Sequence, residues 1–179
     1  MAAVSISESE LVAQAALLLA PHFDLLSEVR LRDPLTAIDL RIDFLAWPKD
    51  PEFPFDMCGL EIKRPALGRE YVAALKQAID YRRAVVVDSR CADWVGCAPG
   101  AVFLFHGGET EAEGGHASHY GAIRLAGRFN VGELALHPWD GPRLEIARAP
   151  IWSAHNGTTG TGVAWPRERR VGNGRRRAA

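Results

Sequence analysis

From Ile38 to Phe44 the chain alternates without a break: Ile38, Leu40, Ile42 and Phe44 are apolar, while Asp39, Arg41 and Asp43 are charged. Such alternation constrains a segment to a strand with one buried face, because successive side chains point to opposite sides. A second run, Gly59-Leu60-Glu61-Ile62-Lys63-Arg64-Pro65, stops at a proline. In a strand Glu61 and Lys63 project together, with Ile62 on the opposite side. Pairing the two runs as a hairpin brings Asp43, Glu61 and Lys63 toward one polar spot. Adjacent carboxylates repel unless a cation lies between them, and hard divalent cations such as magnesium take oxygen ligands. The plainer alternative for Glu61 and Lys63 is a surface ion pair, which contributes under about 1 kcal/mol.

Other elements surround this pair. Residues 5 to 20 read as a helix, with Ser7 as its N-cap, Glu8 and Glu10 at the positive end of the dipole, and Leu11, Ala15, Leu18 and Leu19 at helical spacing. Residues 23 to 32 read as a strand with Glu28, Arg30 and Arg32 on one face, and Asp33-Pro34 is a turn signal. The Asp43 strand is expected over about residues 36 to 46. The proline-rich segment 47–54 is a covering loop that either contacts substrate or anchors Trp47 and Phe53 in the core. A helix follows over about residues 68 to 83, with Val72, Leu75, Ala78 and Ile79 as its buried stripe and Gln77 and Tyr81 sharing another face. Ala84-Val85-Val86-Val87-Asp88 reads as an interior strand buried on both faces, and residues 101–105 as a further strand.

The ordered set of Glu28, Asp43, Glu61-Ile62-Lys63 and Gln77 resembles the PD-(D/E)XK nuclease superfamily, over roughly residues 24 to 88. The resemblance implies an α/β fold with a restriction-endonuclease-like αβββαβ core: a mixed central sheet flanked by helices, here with a C-terminal β-rich extension. It implies a metal-dependent nuclease acting on DNA phosphodiester bonds, in repair, restriction or mobile-element processing. Asp43, Glu61, the Ile62 backbone carbonyl and Glu28 would then hold Mg2+ or Mn2+, with Lys63 acting on the attacking water. Glu10 is a rival to Glu28 for the extra acidic position. Gln77 counts with the catalytic residues, positioning substrate or the attacking water, and Gln77, Tyr81, Arg64 and Arg41 are the residues expected to meet substrate. Many relatives act as homodimers, and a protein partner supplying specificity fits the lack of a recognisable specificity domain. Two alternatives stay open: a catalytically silent nucleic-acid-binding or assembly module of the same fold, and an unrelated α/β domain whose acidic cluster is a solvated face.

Composition limits the remaining choices. A chain of 179 residues, 47% hydrophobic and with net charge −1, suits one domain and gives no global basic signal, so DNA must be held by a local patch and a metal. Three cysteines, Cys58, Cys91 and Cys97, lack metal-ligand spacing and favour a reducing cytoplasm. Met1 to Ser5 lacks a basic region before an apolar run, so no secretory signal is expected, nor any membrane-spanning stretch. The glycine-rich segment 106–119 reads as a mobile loop, and the irregular spacing of His106, His116 and His119 argues against zinc. Strand-like pieces at 122–125, 133–136 and 144–146 either extend the sheet or form a β-rich cap. The domain is expected over residues 1–152, with a core at about 5–105 and the extension at about 120–152. Residues 153–179, with Arg167, Arg169, Arg170, Arg175, Arg176 and Arg177, are expected to form a disordered basic tail that binds phosphates or simply aids solubility.

Overall fold

Ser7 opens the first helix as expected. In the computed structural model, which describes residues 7–64, 69–106, 117–137 and 141–158, its side chain accepts from the Glu10 amide while the Glu10 carboxylate accepts from the Ser7 amide. This reciprocal capping box satisfies backbone donors that would otherwise lack partners. Glu10 is therefore committed to the cap. The helix, α1 (Glu8–Leu19), buries Leu11, Ala15 and Leu19 at four-residue intervals.

The chain then runs through β1 (Phe23–Arg32), β2 (Asp39–Pro48) and β3 (Cys58–Ile62) as an antiparallel meander. Helix α2 (Arg69–Arg83) follows, then the two-residue strand β4 (Val85–Val86), a 3-10 turn at Ser89–Trp94, and β5 (Ala101–Phe105). Next come α3 (Ala117–Gly127), β6 (Val131–His137), β7 (Gly141–Ile146), β8 (Ala149–Ser153) and β9 (Gly157–Thr158). Among the described residues, nine strands form one mixed sheet in the order β4-β1-β2-β3-β5-β6-β7-β8-β9. The parallel pairs are β3 with β5 and β5 with β6. No helix among the described residues is long and apolar enough to cross a membrane.

Two apolar layers cover the sheet. On one face α1 packs with Phe23, Phe44, Leu60, Ile62, Phe103, Phe105 and Trp152. On the other, Tyr71, Ala74, Leu75, Ala78 and Tyr81 of α2 and Ile123 and Ala126 of α3 pack on Val29, Ile42, Leu45, Val102 and Leu104. The loop between β2 and β3 anchors Phe53 and Phe55 in the core, with Phe53 edge-on to Phe23. Anchoring is observed for Phe53 but not as expected for Trp47, because the Asp43 strand spans Asp39–Pro48 rather than 36–46 and places Trp47, half-buried, against the α2 layer.

Several sequence expectations require correction. Ala84 to Asp88 is not an interior strand: only Val85 and Val86 pair, at the sheet edge against β1, because the Asp88 side chain caps the 3-10 turn that leads the chain away. The strand parallel to β3 is β5 instead. The buried stripe of α2 includes Tyr71 and Tyr81 but not Val72, which is 52% exposed. Residues 122–125 lie in α3 rather than a strand, since Ile123 and Ala126 are buried three apart as one helical face requires. The pieces at 133–136 and 144–146 are strands, and they continue the main sheet. That sheet extends past residue 152 through β8 and β9, so residues 153–158 are structured rather than tail. The expected loop at 106–119 and the arginine tail fall largely outside the described residues, although 117–119 open α3.

The strict alternation of the Asp43 strand is also broken. Leu40 and Ile42 pack on the α2 side, Phe44 packs on the α1 side, and Ile38 is 58% exposed. In β1 the same switch occurs: Leu25 belongs to the α1 layer, and Leu26, Val29 and Leu31 to the other. Both strands change faces at the same level, where the ladder runs from Ser27↔Phe44 to Val29↔Ile42 without a Glu28↔Asp43 pair. Glu28 there has φ of 54°, in the left-handed region that non-glycine residues seldom occupy. The hairpin is thus bent at the level of its two acidic residues.

Candidate active site

The bend delivers Asp43 to the end of β3. Its Oδ2 accepts from the Ile62 amide at 2.6 Å, a contact between side chain and neighbouring strand backbone. Glu61 and Lys63 project from β3 on the α2 side, as their spacing requires, while Ile62 packs with the α1 layer. Lys63 Nζ lies 2.6 Å from Glu61 Oε1, and the side-chain exposures are 30% and 3%. This is no surface ion pair. Its acidic member is buried in the sheet.

From α2, Tyr81 reaches the same place. Its hydroxyl donates to the Arg41 carbonyl oxygen at 2.8 Å and lies 3.5 Å from Glu61 Oε1. Gln77, one turn earlier, donates to the Tyr81 hydroxyl at 2.6 Å. The expected pairing of Gln77 and Tyr81 beside the carboxylates is therefore observed, but the two side chains are bonded to each other. Arg41 pairs with Glu28 at 2.8 Å, both well exposed, and Arg64 is exposed.

The electrostatics follow from burial. Removal from water raises the Asp43 carboxyl above its usual range, although the Ile62 amide and Lys63 pull the other way. Glu61 is pushed up to about 7, first by burial and further by Asp43, against the opposing hydrogen bond from Lys63. Burial acts to lower the Lys63 ammonium, but Glu61 and Asp43 outweigh it and the net shift is upward. Burial, and next the charge of Glu61, raise the Tyr81 hydroxyl.

One atom stands out. Glu61 Oε2 is buried and has no close hydrogen-bond partner among the described residues, while the Asp43 backbone amide also acts on the Glu61 carboxyl. A buried carboxylate oxygen without a partner is costly, on the order of 1–3 kcal/mol, and it is the kind of atom a cation or ordered water satisfies. Among the described residues no three His, Cys, Asp or Glu side chains gather in one metal-binding group. Asp43 and Glu61 converge, while Glu28 lies across the bend against Arg41. The oxygen donors that suit magnesium are present as two carboxylates.

Sequence reasoning gave Glu8 only a role at the helix dipole. In the fold its charge is the smallest of the influences that act on Asp43 and Lys63. Its place in that turn, ahead of a helix that packs on β3, was the available signal. Asp88 and Arg90 were also missed, although Asp-x-Arg at the start of a turn is a recognisable capping pattern. Compared with known proteins, the chain matches no protein-family model, no curated protein and no solved structure.

Proposed function

We propose that the chain is a metal-dependent nuclease that hydrolyses DNA phosphodiester bonds on a restriction-endonuclease-like core, in DNA repair, restriction or mobile-element processing. The observation that carries the reading is the buried Glu61 carboxylate, with one oxygen on Lys63 and the other without a close partner, beside Asp43 at the end of the same strand pair. Supporting it is the order of elements: helix, antiparallel meander and helix α2, with β5, reached after the edge strand β4 and a 3-10 turn, running parallel to β3.

Asp43 and Glu61 would hold a Mg2+ or Mn2+ ion, with the Ile62 carbonyl and Glu28 as further oxygen donors. When bound, such an ion supplies neutralisation of phosphate charge and lowers the pKa of coordinated water. Lys63 cannot ligate a cation, so its ammonium orients the attacking water and offsets charge developing on a phosphate oxygen. Tyr81 holds the Arg41 backbone against α2 and keeps the Asp43 bend in register with β3. Arg64 is exposed beside the cluster and would meet backbone phosphates, and Arg41 would do so on leaving its pair with Glu28.

The test compares wild type with Asp43→Ala and Lys63→Ala on plasmid and linear DNA, with and without magnesium or manganese. Both variants are expected to fold and to lose about 100-fold or more of the cleavage rate. Cleavage by Asp43→Ala at the wild-type rate would remove the reading. DNA binding by the wild type without cleavage would favour a silent binding module of the same fold.

A further inference from the structure

The bend at Glu28 has no ladder partner to hold it, and a non-glycine residue in the left-handed region costs about 1 kcal/mol or more. Something else must maintain it. Arg90, from the turn after β4, donates through Nη2 to the carbonyl oxygens of Glu28 at 2.8 Å and Ser27 at 3.2 Å. The same guanidinium is gripped by Asp88, with Nε to Oδ1 at 3.0 Å and Nη2 to Oδ2 at 2.8 Å. Asp88 is itself 4% exposed, and its Oδ2 also accepts from the Arg30 amide at 3.3 Å. The pair therefore brackets Glu28 on both sides, holding carbonyls at 27 and 28 and the amide at 30. Capping the 3-10 turn needs only the Arg90 amide on Asp88 Oδ1, at 3.1 Å, and explains none of the other contacts.

We propose that Asp88 and Arg90 form a positioning clamp that fixes the left-handed bend of β1 at Glu28 and, through the β1–β2 ladder, sets where Asp43 meets β3. The ladder transmits the constraint: Ser27 pairs with Phe44 and Val29 with Ile42, so residues 27–29 dictate the path of residues 42–44. Asp43 lies in the middle of that path, and its contact with the Ile62 amide reports its seating. The pair acts through backbone, and no Arg90 hydrogen bond goes to Asp43, Glu61 or Lys63. The guanidinium is suited to this because its planar fork serves a carboxylate on one edge and carbonyls on the other, which an ammonium does not reproduce. The catalytic consequence rests on the nuclease reading, whereas the structural one does not.

The test reads two signals in Arg90→Ala. The first is the amide resonance of Ile62, which follows the Asp43 contact whether or not the protein cuts DNA. The second is magnesium-dependent plasmid cleavage. The clamp predicts a shifted Ile62 resonance and a kcat lower by about 10- to 100-fold with KM for DNA unchanged, as supporting residues behind a metal site typically give. Arg90→Lys should restore neither signal. In a Glu28→Gly background the same Arg90→Ala change should move the Ile62 resonance less, because glycine adopts positive φ unaided. An unmoved Ile62 resonance in Arg90→Ala overturns the proposal. If that variant fails to fold, Asp88→Asn loosens the same pair and is judged by the same resonance. A wild type that does not cut DNA would count against the nuclease reading alone, since the Ile62 signal still decides the clamp.

Discussion

Glu61 is 2% exposed, carries a cation on one oxygen only, and sits next to a second carboxylate. Its proton is therefore held more tightly in the fold than in the unfolded chain, with the carboxyl pushed from 4.5 up to about 7. The sign follows directly: a raised folded-state pKa favours the fold fully below about pH 4.5, and that advantage is lost as the pH rises through about 7. The full effect is on the order of 3 kcal/mol. Glu61→Gln removes the titration. Urea melts of the metal-free proteins should show wild-type stability falling over this window relative to Glu61→Gln, and a constant difference would contradict the burial argument. If Glu61 holds the proposed ion, millimolar magnesium should stabilise wild type increasingly as the pH rises, because the ion prefers the deprotonated carboxylate, and should do little for Glu61→Gln. At this scale the sequence was partly legible. The i, i+2 spacing placed Glu61 and Lys63 together correctly. The alternation around Asp43 suggested a flat strand, because nothing local reveals that Glu28 adopts positive φ.

At the scale of elements, the site depends on how closely β2, β3 and α2 approach one another. Tyr81 links all three, and Tyr81→Phe removes both its donation to the Arg41 carbonyl and the acceptor for Gln77. Leaving those half-buried groups without partners should cost about 1 kcal/mol, read by denaturant melts. Two strand glycines test the spacing of the sheet. A Cβ at Gly132 would collide with the Glu145 carbonyl oxygen, which is backbone of the paired strand. A Cβ at Gly59 would meet the end of the Ile42 side chain at 2.5 Å, and a side chain can turn aside. Gly132→Ala should therefore destabilise by about 3 kcal/mol or more, and Gly59→Ala by about 1–2 kcal/mol. Equal costs in thermal or denaturant unfolding would show that backbone contact is not the limiting feature. Element types were largely readable from periodicity and caps, as α1 with its Ser7–Glu10 box illustrates. Strand neighbours were not. Val85 and Val86 have the composition of an interior strand, yet they end at an edge because Asp88 turns the chain, and β5 takes the place beside β3.

Across the whole molecule the charge is unevenly placed. Residues 159–179 hold six arginines and one glutamate, five positive charges in all, so the chain's −1 leaves −6 on residues 1–158. A site built from buried carboxylates inside an acidic body repels DNA at long range unless cations offset it. Within the described residues, Arg41 is paired with Glu28 and Arg32 with Asp39, which weakens the hairpin as a basic surface. The arginines of 167–177 are then the strongest source of attraction in the sequence. Neutralising six phosphates contributes about 5 to the slope of log affinity against log salt. Removing residues 159–179 should lower that slope by up to about this amount and raise KM for DNA steeply at low salt. On the nuclease reading, the kcat for cleavage should stay near that of the full chain, because the proposed catalytic residues Asp43, Glu61 and Lys63 lie on β2 and at the end of β3. Fluorescence anisotropy on a labelled duplex across a salt series measures the slope, and saturating plasmid cleavage measures kcat. A truncated protein with an unchanged slope would assign DNA attraction to the sheet domain, and a collapse of kcat would place part of the chemistry in the arginine segment.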